Sequence, residues 1–68
     1  MELIKVIQPS GETAIYVGNQ CVEISSDENY ISLKWANYKQ EYPHFKSKSV
    51  YLNSEMSWPD VRKSVMKE

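Results

Sequence analysis

The chain has little of what most catalytic sites are built from. Its 68 residues include one cysteine, Cys21, and one histidine, His44. A lone cysteine forms no internal disulfide, which fits a reducing compartment. One Cys and one His fall short of any structural zinc set, so no metal is expected. A nucleophile–base pair would need Cys21 or a serine beside His44, and nothing in the spacing brings them together. The only glycines, Gly11 and Gly18, both sit in turn contexts. A glycine-rich phosphate loop is therefore excluded, and no cofactor is expected. No apolar run is long enough to cross a bilayer, and no secretory signal opens the chain. These absences point to a soluble, cytoplasmic, non-enzymatic protein folded as a single small domain over residues 1–68.

What is present begins with a hairpin. Gly18-Asn19 between two alternating runs is a strong two-residue turn signal, because Gly and Asn accept positive φ. This loop sets Val17 opposite Gln20, Tyr16 opposite Cys21, Ile15 opposite Val22, Ala14 opposite Glu23 and Thr13 opposite Ile24. Alternation then places Thr13, Ile15, Val17, Gln20, Val22 and Ile24 on one face, mostly branched and apolar, expected to be core. Ala14, Tyr16, Cys21 and Glu23 take the other face. Leu3 to Ile7 reads as a preceding strand, ended by the turn-forming Gln8-Pro9-Ser10-Gly11.

Two templates fit Tyr30 to Tyr42. As a strand, Ile31, Leu33 and Trp35 point inward and Tyr30, Ser32 and Lys34 outward. As a helix, Ile31, Trp35, Tyr38 and Tyr42 form a stripe. Ser25 and Glu28 would make a capping box, Asp27 and Glu28 would suit the helix dipole, and Pro43 would enforce a stop. The even spacing of the preceding strands favours a strand through about Ala36. Lys46 to Ser49 is polar, its lysines alternating with serines, and Val50 to Leu52 reads as a short strand at an edge, which could also pair two copies of the chain. At the C-terminus Ser57 is a good N-cap, and Pro59 and Asp60 suit a first turn. Val61 and Val65, with Trp58 and Met66 beside them, form an apolar stripe, and Arg62, Lys63 and Lys67 follow. The expected fold is α+β: a small antiparallel β-meander of four to five short strands with a C-terminal α-helix. Such a sheet either curls toward an SH3-like barrel or lets the helix cover one face.

Charge and aromatics are unevenly spread. Residues 1–33 carry one basic side chain against five acidic ones, and residues 34–68 carry seven against four. Either the halves neutralise each other in the fold or the second half meets an anionic partner. Five tyrosines, two tryptophans and one phenylalanine concentrate after residue 29. Trp35, Tyr51 and Trp58 suit a core short of aliphatic side chains. Lys34, Tyr38, Lys39, Tyr42, Phe45, Lys46 and Lys48 suit a partner-binding surface, aromatic anchors rimmed by lysines. A protein partner is the first expectation, with the chain acting as a small regulator or inhibitor. The alternative is a nucleic-acid-binding domain that uses the same 34–48 region to stack bases and neutralise phosphates. Oligomeric state is left open by the sequence.

The stretch Tyr30-Ile31-Ser32-Leu33-Lys34-Trp35-Ala36-Asn37-Tyr38 resembles the Y-x-x-LKW-x-x-Y stretch of chromodomains. The segment from Trp58 to Met66 is similar to their closing helix. Small archaeal chromatin proteins of SH3-like shape share the order of strands followed by a helix. The resemblance implies an aromatic cage for methyl-lysine using Trp35 and Tyr38, a cation–π role. The pattern is incomplete, since no aromatic precedes Tyr16 and the W-E-P signature of the following strand is missing.

Overall fold

The computed structural model describes residues 1–65. Met66 and Lys67, which the sequence assigns to the C-terminal helix, lie outside this range. The elements are β1 (Glu2–Ile7), β2 (Thr13–Val17), β3 (Gln20–Ser25), α1 (Glu28–Glu41), β4 (Lys46–Tyr51) and α2 (Trp58–Val65). The fold is α+β, a four-stranded open sheet ordered β3-β2-β1-β4 with two helices. β1 pairs antiparallel with β2, Leu3 opposite Val17 and Ile7 opposite Thr13. β4 pairs parallel with β1, Glu2 opposite Lys46 and Ile7 opposite Tyr51. The first three strands thus form the expected meander, but the fourth does not extend it. It starts at Lys46 rather than Val50, and it returns through α1 to the far side of β1. Parallel strands need such a long crossover. No helix among the described residues is long and apolar enough to cross a membrane.

The hairpin turn forms as the sequence predicts. Gly18 has φ +61°, the positive-φ position of a II′ turn. Val17 faces Gln20 and Tyr16 faces Cys21. Beyond that point the expected register is displaced: Ile15 faces Glu23, Ala14 faces Ile24 and Thr13 faces Ser25. Val22 is the extra residue of a β-bulge, which inserts one residue and bends the strand. The bulge brings Glu23 onto the face of Ile15 and leaves Ile24 on the face of Ala14, 46% exposed. The expected single core face is corrected as well, because β2 is buried on both faces. Thr13, Ala14, Ile15 and Tyr16 are all buried.

Two helices explain this. Residues 30–36 are helix, not strand. Asp27, rather than the expected Ser25, is the N-cap of α1, and its carboxylate accepts from the Asn29 and Tyr30 amides at 3.0 and 3.2 Å. Ser25 supports the cap from behind, its hydroxyl accepting from the Asp27 amide at 3.0 Å. The helix closes at Tyr42, just before Pro43. Leu33 stays 61% exposed, which forgoes roughly 2 kcal/mol of burial. Burial of Ile31 and half-burial of Trp35, with a cap worth about 1 kcal/mol, outweigh that loss. α1 packs chiefly on β3, with lesser contact on β1 and β2. It buries the face carrying Leu3 and Ile15.

α2 covers the opposite face. Ser57 is its N-cap as expected, accepting from the Asp60 amide at 3.4 Å. Val61 is fully buried with Ile4, Val6, Ala14 and Tyr16, and Trp58, Val65, Val50, Leu52 and Met56 pack around them. Trp58 thus joins the core as anticipated, its indole N–H donating to Glu12 at 2.9 Å. The connection into α2 is held by Gln8, whose buried amide copies one rung of a β-ladder. Its Nε2 donates to the Met56 carbonyl at 2.6 Å, and its Oε1 accepts from the Met56 amide at 2.9 Å.

Replacing Gln8 with Leu strips both partners from Met56, and an unsatisfied buried backbone group costs about 1–3 kcal/mol. The Q8L variant should lose about 2 kcal/mol in urea unfolding. A loss below about 0.5 kcal/mol would show that this tether carries no stability.

Candidate functional site

The seven residues proposed from sequence do not form one surface. Lys34, Tyr38 and Lys39 lie on α1, Tyr42 and Phe45 in the connection that follows, and Lys46 and Lys48 on β4. Strand side chains alternate between faces. Lys46 and Lys48 therefore share the α2 side of the sheet with Val50, opposite the side that α1 covers. The sheet separates the two lysine pairs. Nor are the aromatics open platforms. Tyr42 and Phe45 lean on each other with ring centroids 4.9 Å apart and planes tilted 45°. Lys34 Nζ lies 5.6 Å from the Tyr30 ring centroid. Lys5 and Lys39 lie over the Trp35 ring at 5.3 and 5.8 Å. Trp35 is half-buried between sheet and solvent rather than a plain core residue. The chromodomain-like stretch is helical here, so the cage geometry that the resemblance implied does not arise.

Tyr38 is instead engaged by a carboxylate. Glu23, delivered to the α1 side by the bulge, accepts from the Tyr30 hydroxyl at 2.7 Å and the Tyr38 hydroxyl at 2.9 Å. Two phenol donors favour the charged form and hold Glu23 below its ordinary pKa, the Tyr30 bond first. Burial, then the hydrogen bond and charge of Glu23, push Tyr38 up to about 12. This triad fastens α1 to the outer strand β3.

The outer edge of β4, which the sequence places only at Val50 to Leu52, is longer than expected and begins at Lys46. The Lys46 amide donates to the Met1 carbonyl at 3.3 Å, and the Leu52 amide to the Ile7 carbonyl at 2.9 Å. These bonds fix the phase of the parallel ladder: even-numbered residues turn their N–H and C=O groups toward β1. Ser47, Ser49 and Tyr51 turn theirs outward. The edge is six residues long. The β3 edge, by contrast, is broken by its bulge. Beside the β4 edge, on the α1 side, lies a cleft of about 360 Å³ lined by Lys5, Ile7, Thr13, Ile31 and Tyr51 among others. Tyr51, expected in the core, is 74% exposed at its rim. A sequence signal did exist: in Lys46-Ser47-Lys48-Ser49 lysines recur at every second position, the mark of a charged edge strand.

The electrostatics are lopsided. Glu12, Glu23, Asp27 and Glu55 accept from neutral donors within the fold: the Trp58 indole, two phenols, backbone amides and Ser10. Among the described residues one ion pair forms, Lys48 with Glu2 at 3.8 Å, both about half exposed. That pair joins the acidic first half of the chain to the basic second half. Among the described residues no three His, Cys, Asp or Glu side chains gather to hold a metal ion. Comparison with protein-family models, with curated proteins and with solved structures finds no match.

The triad contributes to the pH dependence of stability, and Tyr16 and Cys21, both raised first by burial, add to its alkaline side. Glu23 is depressed, so its contribution is present above the ordinary carboxylate range and is lost as pH falls through its lowered value. Tyr38 is raised, so its contribution holds below pH 10 and is lost as pH climbs toward about 12. Tyr38→Phe should cost about 1 kcal/mol at neutral pH and flatten the alkaline decline. Urea unfolding at pH 7 and at pH 11 tests this; an unchanged alkaline slope in Y38F would refute it.

Proposed function

We propose that this protein is a non-enzymatic protein-interaction module, a small regulator or inhibitor whose partner adds an extended strand to the free edge of β4. The observation that carries the reading is the regular outward phase of Ser47, Ser49 and Tyr51. Strand addition draws affinity from main-chain hydrogen bonds and specificity from pockets for alternate side chains. Three outward residues offer three donors and three acceptors, and the cleft beside Tyr51 offers the pocket. An added strand extends the open sheet and does not require closure into an SH3-like barrel. The cytoplasm, which a single free cysteine suits, is the compartment this reading places it in.

Nucleic-acid binding is the second reading, supported by Lys46 and Lys48 beside an open edge. Two observations weigh against it. The lysines divide between two faces of the sheet, and the net charge is −1. Phosphate-driven affinity should in any case fall steeply with salt.

Ser49→Pro tests the first reading directly. It removes an outward donor and crowds the edge, while the inward ladder to β1 is untouched, and proline is tolerated at such edge positions. The S49P protein should keep a wild-type unfolding profile and lose at least about tenfold in affinity for partners that wild type captures. Capture that is equal in both proteins would exclude the edge. Binding that vanishes with salt and in K46E/K48E, but survives S49P, would promote nucleic acid.

A further inference from the structure

The β4 edge also carries information about what kind of strand it accepts. We infer that the partner segment is acidic, an extended peptide with carboxylates at alternate positions that meet Lys46 and Lys48. This inference rests on the edge reading and deepens it.

The argument is one of charge left over. Four of the chain's carboxylates accept hydrogen bonds from neutral donors of the protein at its surface. Those bonds cap α1, clamp it to β3 and fasten the segment before α2; none of these carboxylates forms an ion pair with a lysine among the described residues, although Glu23 lies in the field of Lys34. Lys46 makes no ion pair among the described residues, and Lys48 has only the long contact to Glu2. Both point to the same side of the edge strand, at the spacing of alternate residues, about 7 Å apart. A strand added beyond β4 presents its own alternate side chains on that side, directly opposite or diagonal to the two lysines. Opposite charges at such cross-strand positions are favourable, and like charges are not.

The other side of the added strand meets different chemistry. Ser47 and Ser49 are small and exposed, and Tyr51 stands at the end of the row. Ser49 lies opposite Lys5 in the ladder, so a low rim separates the edge from the cleft that Lys5 lines. Small or β-branched side chains fit there.

The same lysines discriminate against the nearest competitor, a second copy of this chain. Antiparallel self-pairing centred on Ser49 aligns the outward groups, but it sets Lys48 diagonal to the Lys48 of the second copy. Lysine on an edge strand opposes self-association in this way. An acidic strand turns the repulsion into attraction.

The test uses the full chain and a synthetic peptide of about eight residues, long enough to span β4. It alternates glutamate with threonine and has blocked ends. A matched peptide carries glutamine for glutamate, and an oligothymidylate of equal charge serves as the polyanion control. Binding is followed by fluorescence anisotropy at low and high salt. The glutamate peptide should bind about five- to tenfold more tightly than the glutamine peptide at low salt, as two exposed charge pairs allow. High salt and the K46Q/K48Q variant should each close that gap, and S49P should weaken both peptides. Equal binding of the two peptides, lost in S49P, would overturn the acidic preference and leave the edge reading intact. Glutamate-peptide binding that S49P does not alter would overturn both. Tighter binding of oligothymidylate than of the glutamate peptide would transfer the lysines to nucleic acid and overturn the inference. No binding of the glutamate peptide at about 1 mM, where a weak site with Kd in that range would register, would overturn it as well.

Discussion

β1 and β2 are buried on both faces, and the rest of the structure follows from that pairing. Leu3 and Ile15 look toward α1, while Ile4, Val6, Ala14 and Tyr16 look toward α2. A chain of this length cannot fill two deep cores, so each layer is thin and each helix contributes one fully committed side chain, Ile31 or Val61. An eight-residue helix such as α2 has no stability of its own. It persists because Val61 docks on the sheet and because Gln8 and Glu55 hold the segment that leads into it. The two-sided strand pair is therefore both the core and the scaffold to which everything else is tied.

Placing that pair in the middle consigns β3 and β4 to the edges, and the two edges are treated differently. β3 is interrupted by a bulge, and its Glu23 is drawn inward to two tyrosines. β4 is regular, polar and lysine-bearing. Lys46 and Lys48 stand exposed along this strand, so a chain of near-neutral net charge has a locally basic rim there. Overall charge balance conceals this completely.

Much of the fold was legible in the sequence where a local rule had no competitor. Gly18 fixes the hairpin because the turn needs its positive φ, and Ser57 and Pro59 mark the start of α2. The first three strands follow from alternation, and the α+β class from those strands together with the C-terminal helix. Where two rules competed, the weaker local evidence misled. Tyr30 to Ala36 alternates as a strand and repeats as a helix, and Leu33 is satisfied only by the strand. Its exposure is accepted because Asp27 caps the helix and Ile31 and Trp35 find the sheet. The Val22 bulge has no signature in the alternation, since it is the pull of Glu23 toward Tyr30 and Tyr38 that rewards it. The candidate site suffered most. Lys34 and Lys48 are neighbours in composition but belong to opposite faces, a fact that depends on β4 being a strand from Lys46 onward. That in turn depends on its parallel pairing with β1, which no local pattern encodes.

The parallel pairing of the first and fourth strands also governs how the chain acquires its shape. Leu3, Lys5 and Ile7 find main-chain partners only in residues that lie more than forty positions downstream, and the amide of Gln8 waits equally long for Met56. Until those residues exist, a growing chain holds its central strand with one side unpaired, an adhesive edge made of its most apolar segment. Closing so long a loop is entropically slow, and topologies rich in distant contacts fold late rather than early. The meander can form as soon as it is made, but it remains a strand short of protection until residues 46–52 have followed it. The lysines of β4 then arrive together with the strand that seals this edge, so that the new boundary of the sheet is charged from the moment it appears.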